Sequence, residues 1–422
     1  MSNGKFLQIH TLTSYPGTLL NRDDAGFAKR LPFGDATRTR VSSQCLKYHW
    51  RNFEGENALY NMDVPASVRS RRTFNQKVVE PLVEAGHPES FVRAATMALQ
   101  ERLLAGSKLN KSTAKTLLQP GEDDDPHDMI ETNQVTILGE PELRYLRKKV
   151  VDRLGEAREE FGDLLDADPD DWSKDQLQDI ADTARDFSKS DLKKNLKGLE
   201  LASGLDAAMF GRMATSDILA RGDAAIHVAH AITTHAQSSE SDYFSAVDEL
   251  KSESGELGGG HINSSELTSG LFYGYVVIDV PLLVSNLEGC PREEWQEADK
   301  TLTGEVVDRM IKLITTVSPG AKLGSTAPYS RAQTLMVESG TAQPRTLANA
   351  FQQSVNEEPD VLENSYRALG SYVSELDQMY GRRNERTLAG IGSIESLADA
   401  VGVDGSSTVP EVAEWAAGKV RG

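Results

Sequence analysis

The sequence predicts an α+β fold, a ferredoxin-like core of strands and helices with lobes attached. Three observations carry this. Runs of strand length stand at both ends of a long helical block: "KFLQIHTLT" at 5–13 before it, "AIHVAHAITTHA" at 225–236 and "GLFYGYVVIDVPLL" at 270–283 after it. The block itself, about 57–198, has helical periodicity. No internal repeat is found along the chain.

In order along the chain, "KFLQIHTLT" alternates and is bounded by turn residues, which predicts a strand. A loop with Pro16, Gly17, Gly26, Pro32 and Gly34 follows, long enough to be functional. Ser42 or Ser43 is a suitable N-cap for a helix through about Phe53. At 100° per residue Leu46, Trp50 and Phe53 share one face, and Gln44, Lys47 and Arg51 fall on a neighbouring one. The helical block contains helices at 90–106, 142–165 and 174–187, with a break at "QPGEDDDPHD". Strand signals then resume. "GLELASGLDAAMFGR" (198–212) is expected to hold a strand or strand pair, and "GLFYGYVVIDVPLL" reads as a strand buried on both faces. Between the later strands, 237–269 is polar and Gly/Ser-rich, which suggests a mobile protrusion. An amphipathic helix at 293–317, a turn-rich link at 318–330 into another strand, and C-terminal helices complete the chain.

At 422 residues the chain is long enough for two or three domains, and a 39% hydrophobic, 26% charged composition is that of a soluble globular protein. Cys45 and Cys290 make no metal-ligand spacing, and a reducing compartment is the default. "MSNGKFLQIH" lacks the apolar stretch of a signal peptide, and the longest apolar run is broken by Asp279 and Pro281. The expectation is a cytoplasmic protein with no membrane partner. Net charge is -19, but it is uneven. Residues 121–191 carry 22 acidic against 9 basic residues, a balance of -13, while 21–77 carry 11 basic against 6 acidic, a balance of +5. A polyanion responds to the local field of one face, and the acidic block reads as a solvated surface.

Most candidate constellations have a simpler structural explanation. His227, His230 and His235 in "HVAHAITTH" have no nearby Cys or acidic ligand to complete a metal set. Ser42 and Ser43 have no oriented base and suit helix capping. "GELGGGHINSS" lacks the Lys-Ser/Thr ending of a phosphate loop. Asp23 and Asp24 suit a turn cap or an ion pair with Arg22 better than a paired-carboxylate site. No cofactor, metal or catalytic residue is expected. The basic stretch 31–51 fares better: a helix start with free N–H groups, hydroxyls, Lys and Arg suits phosphate oxygens. Tyr243 and Phe244 are either core residues or platforms for stacked bases.

The blocks "LNRDD", "FGDATRTRVSSQCLK", "GRMATSD", "VAHAITTH", "DYFSAVDEL", "ELTSGLFYGY" and "VSPGAK" occur in an order that resembles one family. It is the CRISPR Cascade backbone subunit of subtype I-E, the CasC-type member of the RAMP superfamily. The likeness runs from about residue 3 to about 325. It is least over 60–200, and "GEDDDPHD" departs from the pattern. The resemblance implies a hand-shaped molecule. Its RRM/ferredoxin-like palm is built from 1–58, 201–236 and 269–422, the last with C-terminal helices. A helical fingers insertion occupies 59–200 and a protruding thumb loop 237–268. It implies a non-catalytic subunit that polymerises along a CRISPR guide RNA and supports double-stranded DNA recognition and R-loop formation in antiviral defence. The implied partners are the guide, the target DNA strand paired to it, further copies of the chain, and the other Cascade subunits. Those subunits are the large, small, 5′-handle-binding and 3′-hairpin-binding endonuclease subunits; a recruited helicase–nuclease then acts on the complex. Carried over residue by residue, the resemblance places Arg22, Arg38, Arg40, Ser42, Gln44, Lys47, Arg51 and Lys322 at the guide backbone. It places Met213 against the bases, Tyr243 and Phe244 at the thumb base, and Ile262 at the thumb tip. Lys29 and Arg30 are implied to hold DNA outside the guide channel. A RAMP-type RNA endonuclease is the alternative.

Overall fold

The computed structural model describes residues 6–65, 67–104, 118–119, 128, 130–197, 204–212, 223–247 and 259–422, with backbone alone for 243–247 and 259–265. Two compact units divide the chain, one of 1–62, 226–281 and 299–422, the other of 63–225 and 282–298. The strands are β1 (Phe6–Thr18), β2 (Arg30–Phe33), β3 (Ala36–Val41), β4 (Ser67–Ser70), β5 (Thr136–Gly139), β6 (Ile226–Val228), β7 (Ala231–Thr233), β8 (Ser238–Val247), β9 (Gly259–Asp279), β10 (Thr334–Gly340) and β11 (Glu385–Gly390). Among the described residues the α-helices of five residues or more are α1 (Ser43–Arg51), α2 (Glu80–Glu84), α3 (Glu89–Leu103), α4 (Glu140–Phe161), α5 (Lys174–Ala184), α6 (Lys189–Lys197), α7 (Leu205–Phe210), α8 (Val280–Glu288), α9 (Thr301–Thr316), α10 (Val361–Tyr380), α11 (Ile394–Val401) and α12 (Val409–Arg421), with a single helical turn at Leu323–Thr326.

The first unit is built on one antiparallel sheet in the order β11-β10-β1-β9-β7-β3-β2, with β6 and β8 also paired to β9. The predicted α+β class holds. β1 is an interior strand between β10 and β9, and side chains on both of its faces are buried. Leu12 joins Tyr273, Met336 and Leu388 in a core completed by Leu369 and Val373 of α10 and Leu397 of α11. Tyr15 joins Val41, Ala231 and Phe272 in a second cluster, against which Cys45 and Leu46 of α1 pack. α12 lies against α9 and against β10 and β11, burying Val412, Ala416 and Val420. Gly274 sits opposite Thr11 in the β1–β9 register. A Cβ there would lie 2.6 Å from the Thr11 hydroxyl, so only glycine lets the strands approach.

The sheet also buries charge. Glu338, fully buried, accepts from Arg345 at 2.6 Å and from Arg386 Nε at 2.6 Å, and Arg386 reaches on to Asp377 at 2.8 Å. Burial opposes ionisation of Glu338, but the His10 ring beside it and the hydrogen bonds and charge of Arg345 hold its pKa far below the carboxylate range. Paired in this way, a buried carboxylate is tolerated.

The second unit is mainly helical. α3, α4 and α5 bury one apolar cluster that includes Phe91, Leu99, Leu146, Val150 and Ile180, and β4 pairs with β5. Arg212 Nη1 meets the buried Glu142 at 2.7 Å, and Glu142 also accepts from Gly139 N–H at the start of α4.

Several expectations are corrected. The stretch 198–212 contains no described strand: its described part folds as α7, whose Leu205 N–H donates to the Pro65 carbonyl. A short apolar run does not reveal its own period. The "VPLL" end of the last buried strand starts α8 instead. The loop after the first strand holds the β2–β3 hairpin. Within the expected protrusion at 237–269 the described residues form two antiparallel strands, β8 paired with β9 from Ser238↔Ser269 to Val247↔Gly259. Residues 201–225 and 282–298, expected in the palm, group with the helical unit; there Asn286 donates to the carbonyls of Ala208 and Asp223.

Candidate nucleic-acid interface

The basic stretch is organised by α1 and the loops around it. Ser42 is the N-cap: its hydroxyl accepts from Cys45 N–H at 3.3 Å, and its own N–H donates to Asn21 Oδ1 at 2.9 Å. The Asn21 carbonyl accepts from Lys29 N–H, and the Lys29 carbonyl from Arg40 N–H, both at 2.8 Å. The 21–30 loop is thereby stitched to β3 and to the start of α1. The first turn of α1 carries no acidic residue, so its helix dipole is uncompensated there. Trp50 is buried and fixes the helix, leaving Gln44 and Tyr48 exposed and Lys47 and Arg51 half-buried. His49 Nε2 accepts from Gly320 N–H at 3.3 Å, tying α1 to the "SPGAK" loop and its half-buried Lys322. Burial lowers the His49 pKa.

Arg40, Lys29 and His230 converge beside this helix start. Arg40 Nη1 lies 2.9 Å from His230 Nδ1. Burial first, then the charges of Arg40 and Lys29, lower the His230 pKa. Burial pushes the Cys45 thiol up to about 11, against the pull of Lys29, so it stays protonated. Arg22 is exposed, at a bridge to Ala28. Such a set of cations, amides and N–H groups can grip phosphate oxygens while leaving base edges unread.

The family model described as CT1975-like protein (Cas_CT1975) matches residues 7–415. The chain belongs to the CT1975-like family. Among curated proteins none matches. One solved structure, "CRISPR RNA-guided surveillance complex, pre-nicking", contains a chain of 22% identity with a TM-score of 0.75, covering 98% of this chain and 100% of its own. A second, "CRISPR RNA-guided surveillance complex", has 18% identity and a TM-score of 0.65, covering 98% and 99%. At these identities the likeness establishes a shared fold.

In this CT1975-like chain the structure sorts the predicted residues. Gln44, Lys47, Arg51 and Arg40 stand on or beside α1, and Lys322 is on the loop tied to it. Lys29, expected to lie apart, joins Arg40 and His230. Arg30, partly exposed, pairs with Glu266 at 3.2 Å. Arg38 is corrected: it has no exposed surface, and its guanidinium donates to the carbonyls of Thr234 (2.8 Å) and Phe351 (2.9 Å) and to Asp35 (3.1 Å). It holds the fold together, and with no exposed surface it presents no donor to a ligand. Ser42 likewise is buried, its hydroxyl used as a cap. Asp23 accepts from the N–H groups of Ala25 and Phe27, which is the turn-cap role. Met213 lies outside the described residues. Tyr243, Phe244 and Ile262 lie on the β8–β9 hairpin, Tyr243 opposite Ser264, Phe244 opposite Asn263 and Ile262 opposite Ser245; their side chains lie outside the described residues.

Sequence reasoning missed Tyr48 and considered His230 only as a metal ligand. Tyr48, 57% exposed, is one turn from Gln44 on the outward side of α1, and the "LKYHW" pattern carried that signal. The pairing of His230 with Arg40 had no local signal. The β3–β7 register, Arg40↔Ile232 and Val41↔Ala231, brings His230 to Arg40 across 190 residues.

Proposed function

We propose that this chain is a non-catalytic, guide-binding backbone subunit of a Cascade complex of subtype I-E. In this reading it polymerises along a CRISPR RNA through an RRM-like palm, while its β8–β9 hairpin serves as the thumb. Target DNA pairs with the guide, and the other Cascade subunits and a helicase–nuclease act on the assembly. The observation that carries it is the α1 surface: Arg40, Lys29, Lys47, Arg51 and Gln44 around a helix start whose first turn carries no carboxylate. A guide changes sequence with every spacer, so its holder needs phosphate and ribose contacts rather than base readout. Sequence reading is then left to base pairing. Family membership and the surveillance-complex chains that share the fold support the same reading.

The test is to express the chain with a CRISPR array and its neighbouring subunits, purify the complex, and sequence the nucleic acid it retains. RNA of uniform length carrying repeat-derived ends is expected. Protein free of RNA, or RNA of random origin, would sink the reading. Cleavage of an RNA target by the complex would favour an endonuclease instead.

A further inference from the structure

His230 sits in the turn between β6 and β7 with its side chain exposed. A guanidinium has donors only, so at 2.9 Å His230 Nδ1 must accept from Arg40, and the neutral ring carries its proton on Nε2. The charged groups acting on the ring among the described residues are Arg40, from β3, and Lys29, from the segment before β2. Both are cations. His227 on β6 is the neighbouring titratable group and is exposed. The imidazole therefore occupies a place whose surroundings favour an anion, and it occupies it as a neutral acceptor that engages one of the cations an anion would need.

We propose that His230 is a phosphate-binding residue of this surface, which takes up a proton when a nucleic-acid backbone arrives and in doing so frees Arg40 for the same phosphate. The proton comes from solvent and enters at Nδ1. Nδ1 then becomes a donor, the contact with Arg40 can no longer form, and both side chains turn their N–H groups to phosphate oxygens. This rests on the nucleic-acid reading of the site and adds a residue and a proton to it.

The sign follows from linkage. In the free protein partial desolvation of the ring, then the charges of Arg40 and Lys29, hold the His230 pKa below its usual 6.5. A bound phosphate favours the imidazolium and raises it. Between those two values binding takes up a proton, and affinity rises as pH falls, by at most about tenfold per pH unit for one group.

The experiment titrates the full chain with single-stranded oligouridine RNA at fixed ionic strength from pH 8 to pH 6, following fluorescence anisotropy. The wild type is expected to tighten roughly three- to tenfold over that range. His230→Gln, whose amide oxygen still accepts from Arg40 but does not titrate, is expected to flatten the slope. As a second measurement, the NMR titration midpoint of the His230 ring is expected to move up when RNA is added. An equal slope in His230→Gln, or a midpoint that RNA does not move, would overturn the proposal while leaving the interface intact. Absence of RNA binding by either protein at every pH would instead overturn the nucleic-acid reading on which it rests.

Discussion

Replacing Arg38 with alanine separates a fold-holding arginine from a ligand-holding one. Arg38 joins three distant segments: β3, the Thr234 carbonyl after β7, and the Phe351 carbonyl in the loop after β10. A hydrogen bond from a charged donor to a buried acceptor contributes about 1.5–3 kcal/mol, so losing the two carbonyl bonds costs roughly 3–6 kcal/mol. Relief of the buried guanidinium returns part of this, which leaves a net loss of about 3 kcal/mol. At about 2–4 °C per kcal/mol for a unit of this size, the melting transition of the sheet unit should fall by roughly 10 °C. The assay is thermal denaturation followed by circular dichroism, paired with RNA retention per folded molecule well below the transition. A large drop in melting temperature with retention preserved is the expected outcome. A variant that melts like the wild type but releases RNA would refute the burial argument and restore Arg38 to the interface.

Lys47→Ala combined with Arg51→Ala should weaken RNA retention and flatten its log–log salt dependence by about 0.7 per lost phosphate contact; an unchanged slope would remove α1 from the interface. Ser42→Ala should destabilise α1 by about 1 kcal/mol, read as faster hydrogen exchange at Cys45 and Leu46, because it removes the cap that Cys45 N–H uses. Glu338→Gln should destabilise the sheet unit at neutral pH, since it leaves Arg345 and Arg386 without their shared anion. Its pH signature is defined by a depressed folded-state pKa. The stabilisation by Glu338 is present above the unfolded carboxylate value and is lost as pH falls through the folded one. Wild-type and Glu338→Gln melting temperatures should therefore differ by a constant amount from pH 8 to pH 5 and converge in acid.

How much of this was legible depends on whether the signal was local. β1, the apolar half of β9 and the Ser42 cap are short-range patterns, and each appears where its period or its hydroxyl places it. Trp50 as the anchor of α1 is equally local. Arg38 and Arg40 show the opposite. Period two sets them on the same side of β3, yet one is buried and the other reaches solvent. The loop at 351–354 makes the difference: the Gln352 carbonyl accepts from Asp35 N–H, and Ser354 N–H donates to Asp35. Gly34, at φ +61°, leaves room for that carbonyl, which a Cβ would meet at 1.6 Å. A contact made by residues three hundred positions away leaves no trace beside "ATRTR". The same holds for Lys29, whose place near His230 follows from two backbone hydrogen bonds rather than from its sequence neighbours.

β9 runs unbroken for 21 residues, and one strand serves two purposes. Its C-terminal half is the middle of the core sheet, opposite Phe6–Tyr15, and its N-terminal half is one side of the hairpin with β8. At about 3.3 Å per residue the hairpin is a measuring rod whose zero mark is fixed in the core. Its reach changes in steps set by the residue count. Adding two residues to each side lengthens it with every side chain on its original face, whereas adding one turns the facing side chains over. If β8 and β9 act as the proposed thumb, the position of its described part is set by the residue count along β9.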